Sequence, residues 1–345
     1  MKYFAGLDVS LEATSVCVID ESGRVMREAK VLSCPEAITE YLEGTELSFE
    51  RVGLEAGQLS PWLYRGMRAA GLAAVCIETR RMKAFASASP VKTDRKDAAL
   101  IAQAMRVGLF RAVHVKSLES QELRLLLRNR WTLQRKRLDI ENEVRGTLKG
   151  FGIKLGRVGK GHFGERVRQR LVLDHRRLLD LMAPMLKARE ALLVHERTLD
   201  RRVVSVARGN AVCRLFMTSP GVGPVTALAF MSAVDDPARF ARSRDVGVHF
   251  GLTPRLYQSG EIARSGRISK CGDAMVRSLL FEAALSLLTR TKKWSALKSW
   301  GLRVAARRGM RRAVVAVARR LAVILHRMWV DGTEFQWGRA GMPAG

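Results

Sequence analysis

The chain has 345 residues, enough for two or three domains with a sizeable core, and carries 60 Lys and Arg against 33 Asp and Glu, a formal net charge of +27. An excess of that size calls for a polyanionic partner, in the usual case nucleic acid. Five scattered cysteines with no C-x-x-C pair argue against a structural zinc site and a disulfide framework, the polar start "MKYFAGLDVS" is no signal peptide, and no apolar run reaches the roughly 18 residues of a membrane span. A soluble, cytoplasmic protein with no membrane partner is expected.

In chain order, "KYFAGLDVS", "TSVCVID" and "RVMREAKVL" are strand-length runs separated by the short turns "LEA" and "ESG", which predicts an antiparallel meander. "CPEAITEYLEG" reads as a short helix with Pro35 near its start, "RVGLEAG" as a further strand, "SPWLYRGMRAAG" as a helix and "LAAVCIET" as a fifth strand. "DRKDAALIAQAMRVG" closes this part with a helix. Strands first, then strand and helix in alternation, is the element order of an RNase H-like sheet, although periodicity alone allows other α/β folds. Residues 1–116 are therefore taken as one α/β domain.

Over residues 117–208 the strand patterns vanish. Two long amphipathic helices flank the glycine-rich "GIKLGRVGKGHFG", which predicts an antiparallel, coiled-coil-like arm. Between Arg124 and Arg170 there are fourteen basic residues and four acids, an imbalance that points to a nucleic-acid-facing arm through residues such as Arg128, Arg135 and Lys136. Residues 209–345 read as mostly helical. "SPGVGPVTALAFMSAV" resembles a helix-hairpin-helix element whose Gly221 and Gly223 let backbone N–H groups approach a phosphate; a plain tight turn is an equal reading. The closing helices carry the doublets Arg307-Arg308, Arg311-Arg312 and Arg319-Arg320 between alanines and valines.

Four acids stand apart from the others. Asp8 and Glu55 end strand-like runs among small and apolar neighbours, where a carboxylate is costly unless compensated. Asp94 and Asp97 share one face of a helix start, a place that also suits an N-cap or the helix dipole. Together the four are a candidate site for Mg²⁺, one ion or two, with Mn²⁺ as a substitute, to polarise a phosphodiester. A second candidate is the hydroxyl of Ser259 in "YQSGEIARSG", followed by Gly260 and set among Arg255, Arg264, Arg267 and Lys270, which could hold phosphate charge. Serine needs a base or a metal to act as a nucleophile, Tyr257 is a rival two residues away, and a simple phosphate-gripping Ser-Gly turn is as good a reading.

The sequence resembles the DEDD-type transposases of bacterial insertion sequences, the insertion-sequence-110 family, which includes the Piv-type DNA invertases. "GLDVS", "GLEAG" and "KTDRKDA" carry the resemblance in the first part, and "SPGVGPVTA", "FGLTPRLYQSG" and "GRISKCGDAMVRSLL" in the last. The resemblance implies a RuvC-type nuclease domain with Asp8, Glu55, Asp94 and Asp97 as its metal ligands, and a C-terminal transposase domain with Ser259 as nucleophile. It further implies a covalent serine–DNA intermediate, dimers assembling to tetramers with sites shared between subunits, and a structured bridge RNA that guides the choice of DNA. The basic arm would bind that RNA or hold the dimer. A junction nuclease that hydrolyses without a covalent intermediate, or a DNA invertase, is the alternative function. One departure is visible: family members commonly have Lys-x-Gly-Asn where this chain has Lys270-Cys271-Gly272-Asp273.

Overall fold

The computed structural model describes residues 1–80, 82, 93–259 and 262–338, which divide into two compact units, Met1–Lys116 and Ser117–Gly345.

The first unit is a five-stranded mixed sheet between helices. Strands β1 (Tyr3–Val9), β2 (Ala13–Asp20) and β3 (Val25–Leu32) form the expected antiparallel meander. The β2–β3 turn is held by Asp20, whose carboxylate accepts from the Ser22 and Arg24 backbone N–H groups and from the Ser22 hydroxyl. β4 (Phe49–Glu55) and β5 (Ala74–Ile77) add in parallel, for a strand order β3-β2-β1-β4-β5. Helices α1 (Pro35–Glu43) and α2 (Ser60–Ala69) cover one face through a core of Ala5, Leu7, Val16, Val52, Leu54, Ile38 and Leu63. Helix α3 (Asp94–Val107) covers the other, over Phe4, Cys17, Ile19 and Ile77. Successive side chains of a strand alternate between faces, so Phe4, Gly6 and Asp8 of β1 share the α3 face with Gly53 and Glu55 of β4.

In the second unit, α4 (Leu118–Gly150) and α6 (Arg176–Gly209) make the arm, each about 50 Å long by helical rise. Its distal end is closed by α5 (Phe163–Leu171), where Phe163, Val167 and Leu171 pack with Val144, Leu148 and Leu186. Its middle is ionic. Arg137 donates to Glu196 Oε2 at 2.6 Å and to Glu141 Oε1 at 2.7 Å, and Arg189 donates to Glu141 Oε1 at 2.7 Å, all four residues being buried. Such a network adds little net stability but specifies the register of the two helices, because a shifted pairing strands buried charge. At its base the arm joins the main core, where Leu127, Val203 and Ala207 pack with the C-terminal helices.

That core is built around α8 (Pro224–Val234), every residue of which is buried from Thr226 onward. α7 (Ala211–Met217), the short α9 (Arg244–His249), α10 (Ala274–Thr289), α11 (Ala296–Arg308) and α12 (Met310–Asp331) surround it. No described helix is long and apolar enough to cross a membrane. The cysteines form no disulfide among the described residues, and burial pushes the thiols of Cys17 and Cys213 up to about 11 and about 12, which leaves them inert as nucleophiles.

The Ser259 stretch is an antiparallel ribbon, β6 (Pro254–Ser259) and β7 (Ile262–Ile268), with Ser259 opposite Ile262 at its end. The reason is visible in the residues. Leu256, Tyr257, Ile262 and Ile268 favour extended backbone, and Gly266 stands inside β7. Gly260 and Glu261, which join the strands, and Lys92, ahead of α3, lie outside the described residues.

Candidate functional site

The acidic site is organised by strand register. β1 and β4 pair in parallel with Gly6 beside Gly53 and Leu7 beside Leu54, so Asp8 and Glu55 follow side by side at the carboxyl ends of the two central strands. Across the rest of the sheet the same row continues through Ser15 of β2, opposite Asp8, and Lys30 of β3, opposite Ser15. Both carboxylates are half-buried.

α3 lies antiparallel to β1 over this face. Its carboxyl end reaches the far end of the sheet, where Gln103 donates to the Gly23 carbonyl and Arg51 of β4 to the Met105 carbonyl. Its amino end sits over the acid row, where Asp94 lies 3.9 Å from Lys30 Nζ and Arg95 pairs with Glu28. The helix starts there because Thr93 caps it, accepting from the Lys96 N–H at 3.3 Å. Thr93, not Asp94, is therefore the N-cap, and Asp94 and Asp97 stand in the first turn, Asp94 exposed and Asp97 half-buried.

Two glycines bring helix and sheet together. A Cβ at Gly6 would lie closer than 3.0 Å to the Ala98 carbonyl oxygen and the Ala102 nitrogen, and one at Gly53 would meet Met105 Cγ at 2.7 Å. Each glycine stands two residues before an acid, in "GLD" and "GLE". Sequence reading passed over them, although that repeated spacing was the available signal. Among the described residues no group of three or more His, Cys, Asp or Glu is gathered tightly enough to hold a metal ion by itself. The donor type still suits a hard divalent cation: carboxylate oxygens of Asp8 and Glu55 stand side by side at the strand ends.

The hydroxyl site lies in the second unit. Ser259 ends β6, two residues beyond Tyr257, which faces Arg264 across the ribbon. Arg255, Arg264, Arg267 and Lys270 are all exposed, and Arg255 donates to the Ser269 carbonyl at the ribbon's base. Asp273 now has a structural role. Its carboxylate caps α10, accepting from the Val276 N–H at 3.0 Å, and pairs with Arg124 of the arm. Asparagine could supply the cap but not the charge. Asp273→Asn is therefore expected to cost about 1–2 kcal/mol, and Asp273→Ala, which also removes the cap, about 2–4 kcal/mol. Chemical denaturation of the three proteins checks the order.

The remaining candidates divide. Gly221 has φ +81 and lies against the α10 backbone, where a Cβ would collide with the Ala283 carbonyl oxygen, so packing alone requires it. Gly223 caps α8, and nothing lies within 4 Å of where its Cβ would be. Arg128, Arg135 and Lys136 are exposed on α4, with the Arg135 guanidinium 5.4 Å from the Trp131 ring. Other arm cations are paired within the arm: Arg130 with Asp200, the buried Arg137 with Glu196, and the exposed Arg168 with Glu190.

Comparison with known proteins finds matches in both parts of the chain. Residues 5–153 match a family model described as "Transposase", and residues 213–300 match one described as "Transposase IS116/IS110/IS902 family". The chain is 32% identical over 345 residues to the transposase for insertion sequence element IS1111A of Coxiella burnetii, covering 97% of this chain and 91% of the relative. It is 29% identical over 279 residues to a probable family 20 transposase of Pseudomonas aeruginosa, covering 79% and 82% of the two chains. It is also 27% identical over 251 residues to the transposase for IS1328 of Yersinia enterocolitica, covering 71% and 73%. Matched in both parts and over nearly its whole length, the chain belongs to the IS110 family of transposases, enzymes that cleave and rejoin DNA.

Proposed function

We propose that this transposase moves its insertion sequence by phosphodiester exchange through Ser259, using an RNase H-like, RuvC-type first domain whose Asp8, Glu55, Asp94 and Asp97 hold Mg²⁺. The observation that carries the reading is the acid row: two carboxylates side by side at central strand ends, with two more in a helix start held over them by Gly6. When bound, the divalent cation supplies polarisation of the phosphate and lowers the pKa of a coordinated hydroxyl.

The chain's own groups do the rest. Ser259 Oγ attacks phosphorus, an Oγ–P bond forms as one P–O bond of the DNA backbone breaks, and the proton lost from Oγ is balanced by one taken up by the freed deoxyribose oxygen, which leaves as a hydroxyl. One phosphodiester replaces another, so the ends remain activated for rejoining without an external energy source. Arg255, Arg264 and Arg267 hold the charge that builds on the phosphate. The acids belong to the first unit and Ser259 to the second, and we assign the two halves of each site to different subunits of a dimer that assembles to a tetramer. The exposed cations of the arm, Arg128, Arg135 and Lys136, suit the backbone of a guide RNA.

Trapping on the element's own ends tests the reading. Wild type with Mg²⁺ should give a protein–DNA adduct that survives denaturing electrophoresis, and Ser259→Ala should give none and no strand exchange. Cleavage by Ser259→Ala at the wild-type rate, with no adduct in either protein, would replace the serine mechanism by hydrolysis of the junction-nuclease kind.

A further inference from the structure

From residue 283 to residue 330 the chain has twelve Lys and Arg and no Asp or Glu. The structure sorts these cations. Arg320 lies over the Trp300 ring at 3.7 Å, Lys298 donates to the Thr291 carbonyl, Lys293 lies over Trp337, and Arg327 pairs with Asp331. At the corner where α11 meets α12 the cations have no such use. Arg303, Arg307, Arg308, Arg311 and Arg312 are all exposed within about one helical turn or two of Gly309, which has φ +80 and turns the chain. Arg303 donates to the Ser299 hydroxyl, and among the described residues none of the five meets a carboxylate. The inner side of the corner is rigid: Gly301 lets α11 close onto Val317 of α12 and Leu288 of α10.

Guanidinium groups cannot relieve mutual repulsion by losing protons. Five of them on one corner form a standing positive surface that no carboxylate among the described residues neutralises, and its complement is a dense, regular row of negative charge. We propose that this corner is a clamp for the phosphate backbone of duplex DNA, separate from the Ser259 ribbon. Duplex DNA carries one charge per about 1.7 Å of axis and rewards rigid arrays of Arg on helices. A single strand would call for exposed aromatic rings among the cations; residues 303–312 hold none, and Trp300, earlier on α11, is engaged by Arg320. The corner lies beyond residues 213–300 and 5–153, the segments that the family models match. The proposal rests on the chain acting on DNA, and it does not depend on Ser259 being the nucleophile.

The test compares wild type with the combined Arg307→Gln, Arg308→Gln, Arg311→Gln, Arg312→Gln variant on a mixed-sequence DNA duplex of about 30 base pairs, over a range of salt. The expected result is a salt slope lower by about 3 and an affinity about tenfold or more weaker at 0.1 M salt. The corresponding fourfold Arg→Lys variant should keep the wild-type slope, since it keeps the charge, and Ser259→Ala should bind as wild type whatever its activity. An unchanged slope in the glutamine variant overturns the clamp, as does an equal loss in the lysine variant, which would mark a structural effect. A loss seen only on an RNA hairpin, with the DNA slope unchanged, assigns the surface to RNA and overturns it too.

Discussion

Replacing Asp8 with asparagine is expected to abolish DNA cleavage, by at least about 10³-fold, while folding and DNA affinity remain. The shape of the side chain is kept and one unit of negative charge is lost from the row that Asp8 shares with Glu55. Asparagine thus removes one of two adjacent like charges without changing shape, so the variant should stay folded. That combination, lost activity without lost stability, separates a functional acid from a structural one. Titration calorimetry with Mg²⁺ should show the cation binding more weakly to Asp8→Asn, and Glu55→Gln should behave alike. Cleavage within tenfold of wild type would remove Asp8 from the site.

Gly6→Ala is expected to destabilise the first unit by about 3 kcal/mol or more, although it adds one methyl group. The new Cβ would fall on the backbone of α3, at the Ala98 carbonyl and the Ala102 nitrogen, rather than on the end of a movable side chain. The helix must then lift from the sheet, and its first turn, with Asp94 and Asp97, lifts with it. Thermal unfolding should register the loss, and cleavage should fall even at temperatures where the variant remains folded. A neighbouring change on the other face, Leu7→Ala, should cost a comparable amount of stability by leaving a cavity, yet retain activity below its melting point because α3 keeps its seat. Equal activity loss in both variants would mean that stability alone is at issue.

Much of the acid site was legible because strands and helices announce themselves by period. "FAGLDVS" and "RVGLEAG" each place an acid at the end of an apolar run, and "TDRKDAAL" places two more in a first turn. Pairing was not legible. That Asp8 stands beside Glu55 follows from a parallel register between strands far apart in sequence, with a shift between Tyr3 and Phe4, and register depends on turns and on the packing of α1 and α2. The ribbon was not legible for a related reason. Two short strands stabilise each other only through cross-strand pairs, and the glycines and arginines of "SGEIARSGR" hid the extended-backbone preference of Leu256, Tyr257, Ile262 and Ile268.

Charge shows the same division. Composition by itself required a polyanionic partner, since an excess of 27 positive charges has no counterpart within the chain. It could not tell one arginine from another. Arg137 and Arg128 belong to one helix and one basic stretch, yet Arg137 is buried against Glu141 and Glu196 while Arg128 is exposed. Asp273, a surplus charge when read against its motif, proved to be a helix cap paired with Arg124. Local chemistry, which the order of residues determines, decided where helices start and strands end. Which charges meet was decided only by tertiary structure, because a salt bridge depends on distance in space and the partners stand as many as 149 positions apart in the chain.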